Sequence, residues 1–168
     1  MHNLTSQRFE TFWHQICTPY SDHKLAIIGS EKPLNFGCIR TKHLCHFISN
    51  EKDSLRDAKR LGFMISTNLD SNFDIIILEL TKSRETNLRL LYLAEEHLNV
   101  GGKMIINGDN QIGVKSFLKT VSTHWPAEII LTKKKGKIAI FPETKKSFGH
   151  RRKYQDFTIN KDGYYTRC

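Results

Sequence analysis

Residues 73–106 decide the fold, and they read FDIIILELTKSRETNLRLLYLAEEHLNVGGKMII. The run FDIIILEL (73–80) is continuously apolar and rich in isoleucine, which is typical of a central strand covered on both faces. Apolar residues then recur at helical spacing and predict an amphipathic helix; these are Leu88, Leu91, Tyr92 and, at its far end, Leu98. GGKMII (101–106) has the pattern of the next strand. A strand, a helix and a strand in this order predict a parallel β-α-β unit.

The same alternation continues upstream of this unit. Short apolar runs predict strands at KLAIIG (24–29), HLCHFIS (43–49) and FMIS (63–66). Two helices are predicted in this half of the chain: an amphipathic helix over residues 6–17, and a second helix that Asp53 caps and Gly62 ends. The aromatic residues of the first helix are spaced for packing into the core.

Downstream, the pattern ends in a hairpin. GVKSFLKTVSTHW (113–125) predicts a helix, and AEIILT (127–132) and KIAIF (137–141) predict two strands joined by KKKG. This tight connection favours an antiparallel hairpin. We therefore predict an α/β three-layer sandwich, in which a mainly parallel sheet carries helices on both faces and a C-terminal antiparallel hairpin. The arrangement is found in class I S-adenosylmethionine methyltransferases, which are the candidate subclass.

The composition indicates an ordinary globular domain. The chain has 168 residues, and its 39% of hydrophobic and 26% of charged residues argue against a disordered protein. No apolar run approaches the roughly 20 residues that span a bilayer. The N-terminus has no basic segment followed by an apolar stretch, so we expect a cytoplasmic protein without a secretory signal or membrane contact.

Positive charge is concentrated towards the C-terminal end. Residues 1–132 hold 15 Lys/Arg and 14 Asp/Glu, a net charge of +1, whereas residues 133–168 hold 11 and 3, a net charge of +8. Such a localised basic excess is expected for contact with a polyanion such as RNA. The candidate RNA-binding residues are Lys133, Lys134, Lys135, Lys137, Arg151, Arg152 and Lys153, with aromatic residues between them that can stack on exposed bases. The alternative is a solvated loop whose charges blunt an edge strand.

The four cysteines Cys17, Cys38, Cys45 and Cys168 form no C-x-x-C pattern, and we interpret them as free thiols in a reducing compartment. The cluster from Cys38 to His46 contains residue types that bind metals, but its spacing matches no common zinc motif. Cys45 and His46 are adjacent, so on a strand they point to opposite faces. Buried thiols and surface histidines are therefore favoured over a metal site.

A methyl donor or dinucleotide needs glycines directly after the first strand, so that the backbone can approach the ligand. KLAIIG is followed by SEKPLNF, which leaves Gly29 alone where a G-x-G pattern is required. The later turn INGDNQIGVKS lacks a phosphate-loop pattern, and its Gly108 and Gly113 are predicted to end a strand and to start a helix. Between them, Asp109 or Asn110 is predicted to form a side-chain turn. The sequence thus predicts a degenerate cofactor site.

Catalytic motifs are also missing. The chain has no G-x-S-x-G, no H-E-x-x-H and no N-P-P-aromatic run of the kind that amino-methyltransferases use. Asp74 opens the central strand and Glu79 lies near its C-terminal end, where a general base is one interpretation and simple edge polarity is the favoured one. No catalytic, cofactor-binding or metal-binding residue is assigned.

The second half of the chain resembles a known family. GGKMIINGDNQIGVKSF is similar to the G-G…V-G-E-N-R-x-G-V-x-S segment in the N-terminal domain of the ribosomal RNA small subunit methyltransferase C family. DIIILELTKSRETNLRLL resembles the strand, P-K-x-K turn and helix of that domain, EIILTKKKGKIAIFP its basic hairpin, and FTINKDGYYTRC the strand that leads to its catalytic half. The chain departs from this pattern at Thr81, Asp109 and Gln111, where the family usually has Pro, Glu and Arg. The resemblance covers about residues 70–168, and residues 1–69 only by layout.

The resemblance implies a Rossmann-like methyltransferase domain that has lost its own donor site. In the family, a second domain binds S-adenosylmethionine and methylates a guanine N2 of small-subunit rRNA. Residues 1–143 are then expected to form the N-terminal domain. Residues 144–168 are expected to be a basic linker and the start of a hairpin leading to a catalytic domain beyond Cys168.

The function implied by the resemblance is non-catalytic support of rRNA binding and of folding of the catalytic half. No cofactor is expected in this chain, and S-adenosylmethionine is expected in the catalytic half. The expected partners are ribosomal RNA or the small ribosomal subunit, and the catalytic domain of the same protein. Two alternatives stay open: a small stand-alone methyltransferase with an atypical donor site around Gly29 or Gly108, and a protein-interaction domain.

Overall fold

The computed structural model describes residues 4–16, 23–39, 44–142, 157–159 and 165–167. The α-helices among these residues are Leu4–Ile16 (α1), Lys52–Arg60 (α2), Arg84–Glu96 (α3) and Val114–Ser122 (α4). The strands of the first half are Leu25–Ile28 (β1), Cys45–Ile48 (β2), Met64–Ser66 (β3) and Phe73–Glu79 (β4). Those of the second half are Leu98–Asp109 (β5), Ile129–Lys133 (β6), Gly136–Pro142 (β7), Phe157–Ile159 (β8) and Tyr165–Arg167 (β9).

Seven strands form one sheet in the order β3-β2-β1-β4-β5-β7-β6. Strands β1 to β5 run parallel to one another, whereas β7 is antiparallel to both β5 and β6. The predicted mainly parallel sheet and its terminal antiparallel hairpin are confirmed.

The central strand β4 is covered on both faces, as its sequence predicts. Ile75 and Ile77 pack into a core that includes α1 and α2. Ile76 and Leu78, on the other face, pack into a core that includes α3 and α4. All four side chains are buried, which explains why the strand reads as a continuous apolar run rather than an alternating one. The helices on the two faces complete the three layers.

Two predicted helix boundaries are wrong. Leu98 lies in β5 and not on α3, because the helix ends at Glu96 and Leu98 pairs with Phe73 of β4. Asp53 is not the cap of α2, because the helix begins one residue earlier and its N-cap is Glu51. Asp53 lies in the first turn, where a negative charge still favours the helix dipole.

A second, two-stranded sheet follows further along the chain. Strands β8 and β9 pair antiparallel, with Phe157 opposite Arg167 and Ile159 opposite Tyr165. This pairing agrees with the hairpin predicted around Lys161. The candidate RNA-binding residues Arg151, Arg152 and Lys153 lie outside the described residues, as do Cys17 and Cys168.

Candidate functional site

The order of the strands marks the first place to look for a ligand. In an open parallel sheet, ligands bind beyond the carboxyl ends of the strands where the strand order reverses. Here that point lies between β1 and β4, which are neighbours in the sheet. The residues that meet there are Gly29 and Ser30, after β1, and Glu79, at the end of β4.

Gly29 is fitted closely against β4. Its φ of 81° is in the left-handed region that favours glycine. A Cβ added at this position would clash with the backbone carbonyl oxygen of Glu79. The glycine therefore allows two strand ends to approach each other, and the side on which a Cβ would stand is filled by β4.

Glu79 joins the two strand ends through its side chain. Its carboxyl group is hydrogen-bonded by the side chain of Ser30 and, at 3.4 Å, by the Asn35 amide nitrogen. Burial raises the pKa of Glu79 to about 7 and the charge of Asp109 acts in the same direction, while the hydrogen bonds and Lys32 oppose the rise. The buried Oε2 atom has no hydrogen-bond partner among the described residues. Burying an oxygen without a hydrogen-bond partner costs less free energy on a neutral carboxyl group than on a carboxylate. The missing partner of Oε2 therefore agrees with the raised pKa of Glu79.

Asp74, the other carboxyl group of β4, lies at the opposite end of the strand. It accepts hydrogen bonds from the Lys24 backbone N–H at 2.9 Å and from the Asn99 amide nitrogen at 3.1 Å. Burial alone would raise the pKa of Asp74, but these hydrogen bonds hold it below its ordinary value. The two carboxyl groups of the strand are thus not brought together, and Asp74 has a structural role.

A cavity of about 460 Å³ opens at the carboxyl edge of the sheet, on the side of α3. Its lining includes Gly29 and Ser30 at the end of β1, the apolar side chains of Ile28, Ile48, Leu69, Leu90 and Leu93, and the polar ones of Asn50, Glu51 and Arg89. An apolar lining with a few polar groups is typical of a small-molecule pocket. The alternative of a donor site around Gly29 falls on this cavity, whereas sequence analysis missed its other walls because they come from separate segments of the chain.

Arg8 of α1 forms a buried polar cluster at the same edge, on the opposite face of the sheet. The guanidinium donates from Nε to Asn107 Oδ1 at 2.8 Å and from Nη2 to Asp109 Oδ1 at 2.6 Å. Thr5 also donates to the Asp109 carboxylate, at 3.0 Å. Of the two residues predicted to form a side-chain turn, Asp109 or Asn110, Asp109 does not, because its oxygens bind α1 instead. A charged residue one helical turn before Phe12, on an otherwise apolar face, is the signal that sequence analysis overlooked.

The two glycines of the INGDNQIGVKS turn serve packing and chain direction. A Cβ at Gly108 would lie 2.9 Å from Leu80 and 3.0 Å from Val114, so this glycine lets β5 pack closely. The predicted end of the strand at Gly108 is one residue early, since β5 continues to Asp109. Gly113 has a φ of 83° and is the N-cap of α4, which confirms that it starts the helix.

The hairpin end between β6 and β7 brings four of the candidate RNA-binding residues together. Lys133, Lys134 and Lys135 are exposed, and Lys137 is half-buried and donates to Thr132 Oγ1 at 2.7 Å. The turn itself consists of Lys134 and Lys135, with φ values of 49° and 57°. Its two carbonyl groups accept hydrogen bonds from outside the hairpin: Lys134 from Arg8 Nη1 at 2.9 Å, and Lys135 from the Asn110 backbone N–H at 2.8 Å. We call these two residues the lysine turn.

The Cys38–His46 region contains residue types that bind metals. Cys45 is buried, and burial raises the pKa of its thiol well above the ordinary range. The neighbouring His46 lies on the other face of β2, with its ring edge-on to Phe73 at 5.1 Å. In the described part of the chain, no group of three or more His, Cys, Asp or Glu residues could hold a metal ion.

None of the helices within the described ranges has the length and apolar character of a membrane span.

Comparison with known families gives one match. The model described as "Methyltransferase small domain N-terminal" matches residues 35–130. No significant match was found among curated protein sequences.

Solved structures share the fold at low sequence identity. The 16S rRNA N2 methyltransferase (RsmC) of T. thermophilus, solved with AdoMet and guanosine, is 15% identical with a TM-score of 0.60, over 73% of this chain and 35% of that chain. A putative methyltransferase from Pseudomonas syringae is 8% identical with a TM-score of 0.65, over 81% and 97%. The N-methyltransferase NodS of Bradyrhizobium japonicum WM9 is 11% identical with a TM-score of 0.63, over 82% and 96%.

These likenesses confirm the predicted Rossmann-like, class I methyltransferase-type sandwich. The chain spans about a third of the T. thermophilus methyltransferase. The turn after β1 has one glycine, Gly29, where the donor-binding pattern has several. Gly29 and Ser30 line the cavity on the side of α3, while the Cβ side of Gly29 is taken up by the backbone of β4.

Proposed function

The chain belongs to the methyltransferase small domain N-terminal family, and we propose that it is the non-catalytic N-terminal half of an S-adenosylmethionine-dependent 16S rRNA (guanine-N2) methyltransferase. In this role it supports the binding of rRNA and the folding of the catalytic half, which carries the donor. The observation that carries the proposal is the family match over residues 35–130, and it is supported by the turn after β1, where Gly29 stands alone in place of a G-x-G pattern.

The lysine turn and its neighbours support the contact with RNA. Three exposed lysines and the half-buried Lys137 lie at one hairpin end, and the sequence that follows is also basic. Clustered cations neutralise backbone phosphates and release counterions, which gives affinity without base contacts. Arg151, Arg152 and Lys153 are proposed as further contacts on the same RNA.

The first prediction concerns the donor. Titration of the protein with S-adenosylmethionine in a calorimeter should give no binding heat, with a donor-binding class I methyltransferase as the positive control. The physical reason is that the turn after β1 offers one glycine, Gly29, where close approach of the backbone to a donor needs a G-x-G pattern. Micromolar binding of the donor would contradict the proposed non-catalytic role.

The second prediction concerns the RNA. Changing Lys133, Lys134 and Lys135 together to Glu should weaken binding to a small-subunit rRNA fragment. Each lost phosphate contact should lower the slope of log affinity against log salt by about one. The matched control changes Lys52, Lys59 and Lys82, which are exposed elsewhere, to Glu. Equal affinities for the two triple variants would instead favour a hairpin that docks on a protein.

The cavity on the side of α3 favours a second candidate function, a small stand-alone methyltransferase. Its volume of about 460 Å³ and its mixture of Asn50, Glu51 and Arg89 with apolar residues suit a nucleoside-sized ligand. The same calorimetric titration separates the candidates, since donor binding would be weakened by Leu90→Trp, which fills this cavity. Methyl transfer to RNA by the chain on its own would establish the second function.

A further inference from the structure

The lysine turn has a backbone conformation that its own sequence does not favour. A two-residue hairpin turn with positive φ at both central positions is of type I′, for which Asn-Gly is the preferred sequence. Lys134 and Lys135, at 49° and 57°, occupy these positions with two long β-carbon-bearing side chains. The left-handed conformation costs about 1–2 kcal/mol for each such residue. Contacts outside the turn are therefore required to hold it.

Arg8 supplies the principal contact. Its Nη1 donates to the Lys134 carbonyl oxygen at 2.9 Å, although 126 residues separate the two in sequence. The guanidinium is itself fixed by Asn107 and by the ion pair with Asp109. Only 2% of Arg8 is exposed, so the residue cannot touch RNA directly.

A glycine next to the lysine turn leaves space for the Arg8 side chain. Gly136 follows the lysine turn and pairs with Asp109 of β5. A Cβ added at Gly136 would clash with Nη1 and Cζ of Arg8 and with the Gly108 carbonyl oxygen, so both the guanidinium and the backbone of β5 lie directly against this glycine. The absence of a side chain at this position makes room for Arg8.

We propose that Arg8 is a positioning residue for RNA binding, which holds the lysine turn in its left-handed conformation so that the lysines face the RNA already ordered. This inference rests on the proposed function, because it requires that the lysines contact RNA. Without Arg8, the turn relaxes and has to be ordered again on binding. The ordering entropy then lowers the affinity although every lysine is still present.

The test is a double-mutant cycle between Arg8→Met and Lys135→Gly, with affinity for a small-subunit rRNA hairpin as the measurement. Arg8→Met alone should weaken binding roughly tenfold, the order of magnitude expected for reordering a short turn. Glycine adopts positive φ without strain. In the Lys135→Gly background the same substitution should therefore cost much less affinity. An equal loss in both backgrounds would overturn the proposal.

Two controls keep the result interpretable. Phe12→Leu loosens the packing of α1 without touching the lysine turn, and it should lower stability while leaving RNA affinity unchanged.

If Arg8→Met does not fold, Gly136→Ala disturbs the same contact from the hairpin side and should weaken binding with no change of charge. The NMR signals of the Lys134 and Lys135 amides report whether Gly136→Ala disturbs the turn. If these signals shift and the affinity for RNA is unchanged, the proposal is also overturned. If changing Lys133, Lys134 and Lys135 to Glu has no effect on RNA affinity, the proposed RNA-binding function fails. Failure of the positioning role of Arg8 is a different result, because the lysine variant then still weakens binding.

Discussion

At the scale of single residues, Gly29 separates two uses of glycine that look alike in a sequence. It stands after the first strand, where a donor-binding fold needs glycine, and its φ of 81° favours that residue. The side on which a Cβ would stand faces the carbonyl group of Glu79, and Gly29 also lines the cavity beside α3. The glycine is therefore required for the close approach of β4, a role that only the neighbouring strand reveals.

Glu79 gives a prediction at the same scale. Burial raises its pKa from an ordinary 4.5 to about 7, so the folded state retains a proton that the unfolded state has lost. The free energy of unfolding should therefore fall as the pH rises from about 4.5 to about 7, by at most ~1.4 kcal/mol per pH unit from this group. Glu79→Gln should remove this fall, measured by urea denaturation across that range.

The matched control for this measurement is Glu31→Gln. Glu31 is an exposed carboxylate that follows Ser30 in the loop after β1. Its substitution should leave the fall between pH 4.5 and pH 7 in place. A Glu79→Gln protein that retains the full fall would assign the proton to a different group.

At the scale of elements, the β6–β7 hairpin combines a good strand pairing with a poor turn sequence. The pairing runs from Ile129 opposite Ile140 to Lys133 opposite Gly136. The two turn residues, Lys134 and Lys135, are strained, and that strain lies where the positive charge is densest. Backbone strain at one place in an otherwise regular element is often associated with function.

The lysine turn should therefore show opposite effects on stability and on binding. Changing Lys134 to Asn and Lys135 to Gly should raise the free energy of unfolding by about 1 kcal/mol, because this pair suits a type I′ turn. The same change should weaken RNA binding and reduce its salt dependence, since two cations are lost. Changing both lysines to Ala is the control, and it should weaken binding equally without the gain in stability. A gain in both quantities would show that the lysines do not contact RNA.

At the scale of the whole molecule, the sequence predicts those strands, helices and connections whose pattern lies within one or two neighbouring elements. The apolar run of β4, the helical spacing of α3 and the KKKG connection each lie within one or two elements, and each is confirmed. Boundaries fail where two elements meet: Leu98 continues the helical pattern of α3 but pairs with Phe73 in the sheet. Tertiary pairing there overrides local spacing.

The parts of the candidate site that were missed depend on distant contacts. Arg8 and Asp109 are 101 residues apart, and nothing in the neighbourhood of either one indicates the other. The cavity is likewise assembled from the ends of β1, β2 and β3 and from α3, so no single segment carries its pattern. The lysines were found because charge is visible in composition, whereas the residue that holds their turn was not.

The hydrogen bond of Arg8 to the lysine turn also sets an order of events during synthesis of the protein. Arg8 leaves the ribosome first, but its carbonyl partner, at Lys134, is made 126 residues later. At 5–20 residues per second, this is a delay of roughly 6–25 seconds. A single 13-residue helix is marginal in water by itself, and α1 first finds apolar partners such as Phe36, which contacts Phe9. Its polar contacts through Arg8 can form only after β5 and the hairpin have been made, so full docking of α1 follows late in synthesis.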